Sequence, residues 1–172
     1  MERLYKNILG TRVVGENSMR ALTTVKGLVM DPERGTLLAL VTSVSKHKVV
    51  VPFDILEWGD NVKVHDSDAI VDGDDILRLH EVMEQGTGEI FNKKVETEEG
   101  EALGRVVDFS IDGQTYDLQK LYVGKTILGM VRYGMLIIAA KNIVEILPKK
   151  IVVKAGPATV KEEAVGAEAV AA

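Results

Sequence analysis

The sequence predicts an all-β fold: two tandem copies of one small antiparallel β-barrel, joined by a short helical linker and followed by a disordered C-terminal tail. Three observations predict it. A pattern recurs along the chain, its apolar residues fall in short Val-, Ile-, Leu- and Thr-rich runs cut by Gly, Asp and Pro, and one helical periodicity lies between the two recurrences.

The recurrence comes first because it sets the domain count. LTTVKGLVMD, residues 22–31, lies over LGRVVDFSID, residues 103–112, at a constant offset of 81 residues (22 to 103, 31 to 112). Identity is low, but Leu22, Val25, Leu28, Met30 and Asp31 meet Leu103, Val106, Phe109, Ile111 and Asp112. The register holds where TLLALV, residues 36–41, falls on residues 117–122. KVVVPFDIL, residues 48–56, then resembles MLIIAAKNIV, residues 135–144, with small insertions between. Each copy closes on a short β run, NVKV at 61–64 and KIVV at 150–153, by which point the offset has become 89 (61 to 150).

Turns sit at matching places. Asp31 to Gly35, reading DPERG, is turn chemistry in the first copy, and Asp112 with Gly113 is a hairpin signal in the second. A unit of about 70 to 80 residues buries little surface by itself, so packing of one copy on the other would support both.

Between them, residues 72–86 read DGDDILRLHEVMEQG. Asp74 or Asp75 can cap a helix, Ile76, Leu79, Val82 and Met83 share one face, and Gly86 can end it. Residues 156–172, rich in Ala, Gly, Val and Glu and without aromatics, match nothing in the first copy and read as a disordered tail. The expected division is therefore 1–72 for the first barrel, 73–86 for the linker helix, 87–155 for the second barrel and 156–172 for the tail.

Composition bounds the chemistry. Of 172 residues, 46% are hydrophobic and 27% charged, enough to bury a core and keep a wet surface. Cysteine is absent, which removes disulfides, thiolate metal sites and thiol nucleophiles. MERLYKNILG lacks the apolar stretch of a signal peptide. The longest apolar run, 135–140, is far below the roughly 20 residues a membrane helix needs, so a cytoplasmic protein is expected. A net charge of −5 repels phosphate backbones. The lysine pairs Lys46 and Lys48, Lys93 and Lys94, and Lys149 and Lys150 lack interleaved aromatics and read as solvated strand ends.

A search for reactive constellations yields no candidate. His47, His65 and His80 are far apart in sequence, with no second ligand at metal spacing. Asp66, Asp68, Asp72, Asp74 and Asp75 form the densest acidic cluster, but a calcium loop starting at Asp66 would place Ile70 and Val71 where an oxygen ligand and a glycine belong. Gly124, Gly129 and Gly134 recur, yet a phosphate loop ending in Gly124, Lys125 and Thr126 needs glycine where Gln119 stands, so turns and bulges account for them better. Ser18, Ser43, Ser45, Ser67 and Ser110 have neither an elbow motif nor an evident base. No catalytic residue, metal ligand or cofactor is expected, and the chain reads as a non-enzyme.

What remains is apolar surface. Trp58, the lone tryptophan, has two readings, a plug closing the barrel end or an interface anchor; Phe53 stands five residues before it. Tyr116, Tyr122, Met130 and Tyr133 pose the same choice in the second copy. Since side chains fill a small barrel, binding would use an outer face, an edge or the cleft between barrels. The candidate interface residues are Phe53, Trp58, Tyr116, Tyr122 and Tyr133.

These segments together resemble a known family. Val25, Leu28, Met30, Asp31 and Pro32, then residues 37–41, then Val51, Pro52 and Ile55, then Val62 and Val64, look like the PRC-barrel module. That module is known from the photosynthetic reaction-centre H subunit and the C-terminal half of the ribosome-maturation factor RimM. The second copy matches more loosely through Gly104, Val106, Asp112, Leu121, Ile138, Ile143, Ile151 and Val153, with Ala139 where the proline would stand. The resemblance spans about residues 8–154, and LQKLYV at 118–123 looks like tandem PRC-barrel proteins. It implies an interaction or scaffold module that holds a protein partner or itself, without cofactor. Its alternative is a ribosome- or RNA-associated assembly factor, by analogy with RimM, where nucleic acid would be met through the ribosome. A third is membrane-associated support without a transmembrane segment.

Overall fold

Short runs of β-branched and aliphatic residues, broken by turn residues every few positions, leave the chain little but strands to form. The computed structural model describes residues 1–18, 20–127, 130–131, 135–156 and 159–161. Through the first half these are β1 (Glu2–Leu4), α1 (Tyr5–Ile8), β2 (Arg12–Gly15), β3 (Ala21–Met30), β4 (Leu37–Thr42), β5 (Lys48–Val50), β6 (Glu57–Trp58), β7 (Val62–Val64) and β8 (Val71–Asp72). Helix α2 (Leu77–Gln85) follows. Then come β9 (Lys94–Thr97), β10 (Ala102–Asp112), β11 (Leu118–Gly124), β12 (Thr126–Ile127), β13 (Met130–Val131), β14 (Met135–Ala139), β15 (Ile143–Ile146), β16 (Lys150–Val153) and β17 (Thr159–Lys161).

Two sheets carry the fold. One runs β6-β7-β2-β3-β4-β5-β8, the other β15-β16-β9-β10-β11-β14-β17 with β1 added alongside β10. A small ribbon of β12 and β13 stands apart. The expectation of closed antiparallel barrels is corrected in two respects. Each sheet contains one parallel pair, β2 with β7 and β9 with β16. Nor is either sheet closed, its terminal strands being unpaired with each other. Curvature comes instead from strands shared between neighbours: β3 gives its first half to β2 and its second half to β4, with register shifts at Val25/Gly27 and Val29/Met30.

The two sheets touch through their matching turns. Asp31 Oδ1 accepts from the backbone N–H groups of Glu33 (2.9 Å) and Arg34 (3.1 Å), and Asp112 Oδ1 accepts from those of Gln114 (2.7 Å) and Thr115 (2.9 Å). Each turn passes through a left-handed residue, Gly35 (φ 67°) in one and Tyr116 (φ 62°) in the other. Here the sheets bond reciprocally: Leu37 N–H donates to Tyr116 O (3.0 Å), and Leu118 N–H donates to Gly35 O (2.7 Å).

The N-terminus crosses over. Strand β1, expected within a first unit of residues 1–72, pairs with β10, Leu4 facing Ser110 and Glu2 facing Asp112. In the opposite direction, Met30 N–H of β3 donates to Gly88 O (2.9 Å). The consequence is one continuous apolar cluster, in which Ile8, Leu28, Met30 and Leu40 share a core with Ile90, Phe109, Leu121 and Ile151.

The helix expected over 73–86 forms over Leu77–Gln85 and ends at Gly86 in the left-handed conformation (φ 66°). Its start differs from expectation. Asp74 and Asp75 sit in a preceding single turn of 3₁₀ helix capped by Asp72, and the residue before Leu77 is Ile76, which gives no side-chain cap. Leu79 and Val82 are buried on Val29, Ala39 and Val49, forming a second, smaller core on the outer face of the first sheet. Burying each stabilises by about 1.5–3 kcal/mol, so the segment is a packed layer as well as a connection.

The expected disordered tail is corrected at residues 159–161, which pair with β14. Residues 157–158 and 162–172 lie outside the described residues, as do Gly129, Tyr133 and Gly134. Among the described residues no helix is long and apolar enough to cross a membrane.

Candidate functional site

A groove of about 700 Å³ lies on the outer side of the first sheet, where α2 and the chain entering the second sheet leave a gap. Lys26 to Val29 of β3 and Val41 of β4 form one wall, and Val82 and Met83 of α2 form another. The third is the segment from Gly86 to Phe91, with Tyr5 of α1 and Phe109 of β10.

Glycine makes the shape. At Gly27 a side chain is missing from the strand wall, where an added Cβ would lie 3.7 Å from Val41 Cβ, in ordinary contact. At Gly88 the chain runs so close to the first sheet that a Cβ would lie 2.5 Å from Val29 Cγ1 and 2.6 Å from Val82 Cγ1. Only glycine lets this wall stand where it does.

Three aromatic rings stack from core to mouth. Tyr5 packs on Phe109 with centroids 4.7 Å apart and planes at 18°, and on Phe91 at 5.3 Å and 29°. Phe109 is buried, while Phe91 remains 43% exposed at the opening. Burial, with Glu89 and Asp108 nearby, raises the Tyr5 pKa, so its phenol stays neutral in ordinary buffers.

One end of the groove is polar. His47 Nδ1 stands 3.1 Å from Asp74 Oδ2, His80 Nδ1 stands 3.4 Å from Asp74 Oδ1, and His80 Nε2 stands 3.5 Å from Glu84 Oε1. The β4–β5 connection and α2 thus bring His47 and His80, far apart in sequence, onto the same carboxylate of Asp74. His65 lies elsewhere, with Glu16 at 2.8 Å. Among the described residues no group of three or more His, Asp or Glu is placed to hold a metal ion.

Two buried charges hold the walls. Asp31 takes a two-pronged contact from Arg78 of α2, Nη2 to Oδ1 at 2.9 Å and Nε to Oδ2 at 3.2 Å. That guanidinium, with the backbone N–H groups of Glu33 and Arg34, overcomes the desolvation of burial and lowers the Asp31 carboxyl to about 2. Lys93, expected as a solvated strand end, is buried instead. Its Nζ donates to Gly86 O (3.0 Å), Thr87 O (3.0 Å) and Leu147 O (2.8 Å), tying the end of α2 to the β15–β16 connection. Burial lowers its pKa to about 8, against a smaller opposing effect of Glu89.

The interface residues expected from sequence scatter. Trp58 is buried, 5.7 Å from the Tyr116 ring across the sheet junction, with the Arg3 guanidinium 5.2 Å from its ring centroid. Arg3 also donates to the carbonyl oxygens of Trp58 and Gly59. Tyr122 Oη donates to Glu2 Oε1 (3.2 Å). Phe53 is 94% exposed on the single turn Pro52–Asp54, and Tyr133 lies outside the described residues. Sequence reasoning missed Tyr5, Phe91 and Phe109 as a stack. The one available signal was that Phe109 aligns with Leu28 in the repeat, which marked it as core.

A model of the PRC-barrel domain matches residues 1–78. That stretch contains the whole first sheet, β1 and the start of α2. No curated protein matches the chain.

Proposed function

We propose that the chain is a non-enzymatic, cytoplasmic interaction module built from two PRC-type units, and that it holds a protein partner in the groove between α2 and the Tyr5–Phe91–Phe109 stack. The duplication is supported by hydrogen bonds that repeat within one residue of the offset of the sequence pattern, 81 between the acceptors (25 to 106) and 82 between the donors (10 to 92). Gly10 N–H donates to Val25 O (2.8 Å) as Asn92 N–H donates to Val106 O (2.9 Å), and Gly10 and Asn92 are both left-handed, at φ 82° and 65°. The reciprocal bonds of Leu37 and Leu118 fit two equivalent units facing each other about a local two-fold.

The observation that carries the functional reading is an apolar, aromatic-floored cavity open to solvent, in which His47, Asp74, His80 and Glu84 are engaged with one another at one end. A catalytic site needs a nucleophile and a base aimed at a common point, and the groove presents Asp74 bracketed by two histidines, with no Ser, Thr or Cys among its lining residues and the one hydroxyl, that of Tyr5, kept neutral by burial. Its size lies within the roughly 300–1,000 Å³ of ordinary binding pockets.

The test places a photo-crosslinking benzoylphenylalanine at Phe91 in the intact chain, with the same residue at Phe53 as control, and identifies adducts from cells by mass spectrometry. A reproducible partner at Phe91, lost when the groove is filled by Gly27→Val, is the expected result. Adducts at Phe53 alone, or none that depend on Gly27, would overturn the reading. An adduct with the chain itself would assign the groove to self-association.

A further inference from the structure

Resting on the preceding reading, we infer that the partner enters this groove as an extended segment and pairs through its backbone with the free edge of β3 at Leu28. Backbone accounting selects that occupant. Over residues 25–30 the sheet neighbour of β3 is β4, and among the described residues the opposite edge is covered only at its two ends. At one end Val25 N–H donates to Thr11 O (2.9 Å) and Gly10 N–H donates to Val25 O (2.8 Å); at the other, Met30 N–H donates to Gly88 O (2.9 Å). Leu28 and Met30 face the main core while Val29 between them faces the outer one, so alternation along the strand turns the N–H and C=O of Leu28 away from β4 too. Neither group has a partner there among the described residues.

The second sheet shows what the first one lacks. At the offset of 81, Leu28 lies on Phe109 and Gly27 on Asp108, and the register shift of β3 at Val25/Gly27 is matched in β10 at Val106/Asp108. There Asp108 Oδ1 accepts from Phe109 N–H (2.9 Å) and from Lys6 N–H (3.2 Å), and β1 pairs onward along the same edge, Leu4 opposite Ser110. Gly27 has no side chain to supply that oxygen, and both it and Leu28 line the groove. A free donor and a free acceptor on one residue make a single rung of an antiparallel ladder, which an extended backbone completes with its own C=O and N–H. A helix has those groups engaged internally. Both groups of Leu28 are uncharged, so the mixed charges around the groove do not decide the pairing. From Lys26 to Val29 the edge runs about 13 Å, room for about four extended residues.

The test reads the Leu28 amide of the ¹⁵N-labelled full-length chain by NMR. In the free chain it should exchange with solvent at least about tenfold faster than the amides of Val29, which faces β4, and of Phe109, which Asp108 caps. Gly27→Asp restores the residue of the second sheet at a position where an added Cβ makes ordinary contact, and should slow the Leu28 amide at least about tenfold; Gly27→Ala should not. The probe is a hexapeptide of alternating threonine and valine, blocked at both ends, set against the same peptide with every backbone nitrogen methylated. The first should shift the Leu28 amide saturably with a dissociation constant below about 1 mM, and the methylated one should bind at least about tenfold more weakly. Gly27→Asp should abolish the shift. A Leu28 amide as protected as that of Val29 in the free chain, no shift with either peptide, equal affinities, or binding that persists in Gly27→Asp would each overturn the inference. So would acetate reproducing the shift at the same concentration, because the site would then take a lone acceptor and not a strand. If the peptides fail while the Phe91 crosslinker still captures a partner, strand pairing falls and the groove as docking site stands. If the peptide binds while Phe91 captures nothing, the free edge stands and the preceding reading falls.

Discussion

Replacing Arg78 with Met keeps the aliphatic stem of the side chain but removes the guanidinium that Asp31 faces. Asp31 is about 2% exposed and its carboxyl lies at about 2 instead of the ordinary 3.8. At roughly 1.36 kcal/mol per unit this corresponds to about 2.5 kcal/mol of folding stability at neutral pH. The Glu33 and Arg34 amides contribute a lesser share and survive the substitution, so Arg78→Met should cost about 1–2 kcal/mol. The sign follows from the depressed folded value: the contribution is present above about pH 4 and is lost as pH falls toward 2, with about half remaining at pH 3. Urea unfolding followed by the fluorescence of Trp58, the lone tryptophan and a buried one, at pH 7 and pH 3 measures both numbers. A difference between wild type and variant that is the same at both pH values, or smaller than about 0.5 kcal/mol at pH 7, would refute the assignment of Asp31 and Arg78 as the clasp holding α2 on the first sheet.

Lys93→Met leaves three carbonyls without their donor and should destabilise by on the order of 3 kcal/mol in the same assay at pH 7. Because burial puts the folded pKa of Lys93 near 8, below the 10.5 of an ordinary lysine, the unfolded chain binds more protons between those values. Wild-type stability should therefore rise relative to Lys93→Met from pH 8 to pH 10, and an unchanging gap would contradict the burial. Gly88→Ala forces Val29 and Val82 apart and should cost about 1–3 kcal/mol, measured as a lowered urea midpoint with unchanged slope. Leu79→Ala should cost about 2–5 kcal/mol by opening a cavity under α2, and faster amide exchange confined to residues 77–91 would report the loosened layer.

Local rules made much of the architecture legible. The offset that laid Asp31 on Asp112 and Leu28 on Phe109 reappears as two turns with the same bonds to their aspartates and two equivalent core positions. The apolar face of Ile76, Leu79, Val82 and Met83 and the stop at Gly86 likewise describe α2. What local rules cannot carry is the choice of partner across long sequence separations. A three-residue run such as Glu2–Leu4 satisfies its hydrogen bonds equally well on any free edge, so nothing in it names β10, over 100 positions away. The parallel pairing of β2 with β7 is hidden for the same reason, because alternation reports a strand but not the direction of its neighbour. Lys93 misleads because its doublet with Lys94 looks solvated, while its surroundings are three carbonyls drawn from segments up to 54 residues away. The groove is the extreme case. Its aromatic stack joins Tyr5, Phe91 and Phe109 from three elements, and its polar end joins His47, Asp74 and His80, so neither forms a motif in one stretch of sequence.

Amide chemical shifts of the ¹⁵N-labelled full-length chain, recorded as the partner captured at Phe91 is titrated in, would locate contact residue by residue. Perturbations should concentrate at residues 26–29, 41–47 and 80–91, with Phe53 and its neighbours unmoved. Shifts gathered instead around the Pro52–Asp54 turn or along β15 and β16, with residues 80–91 silent, would contradict a docking site between α2 and the aromatic stack.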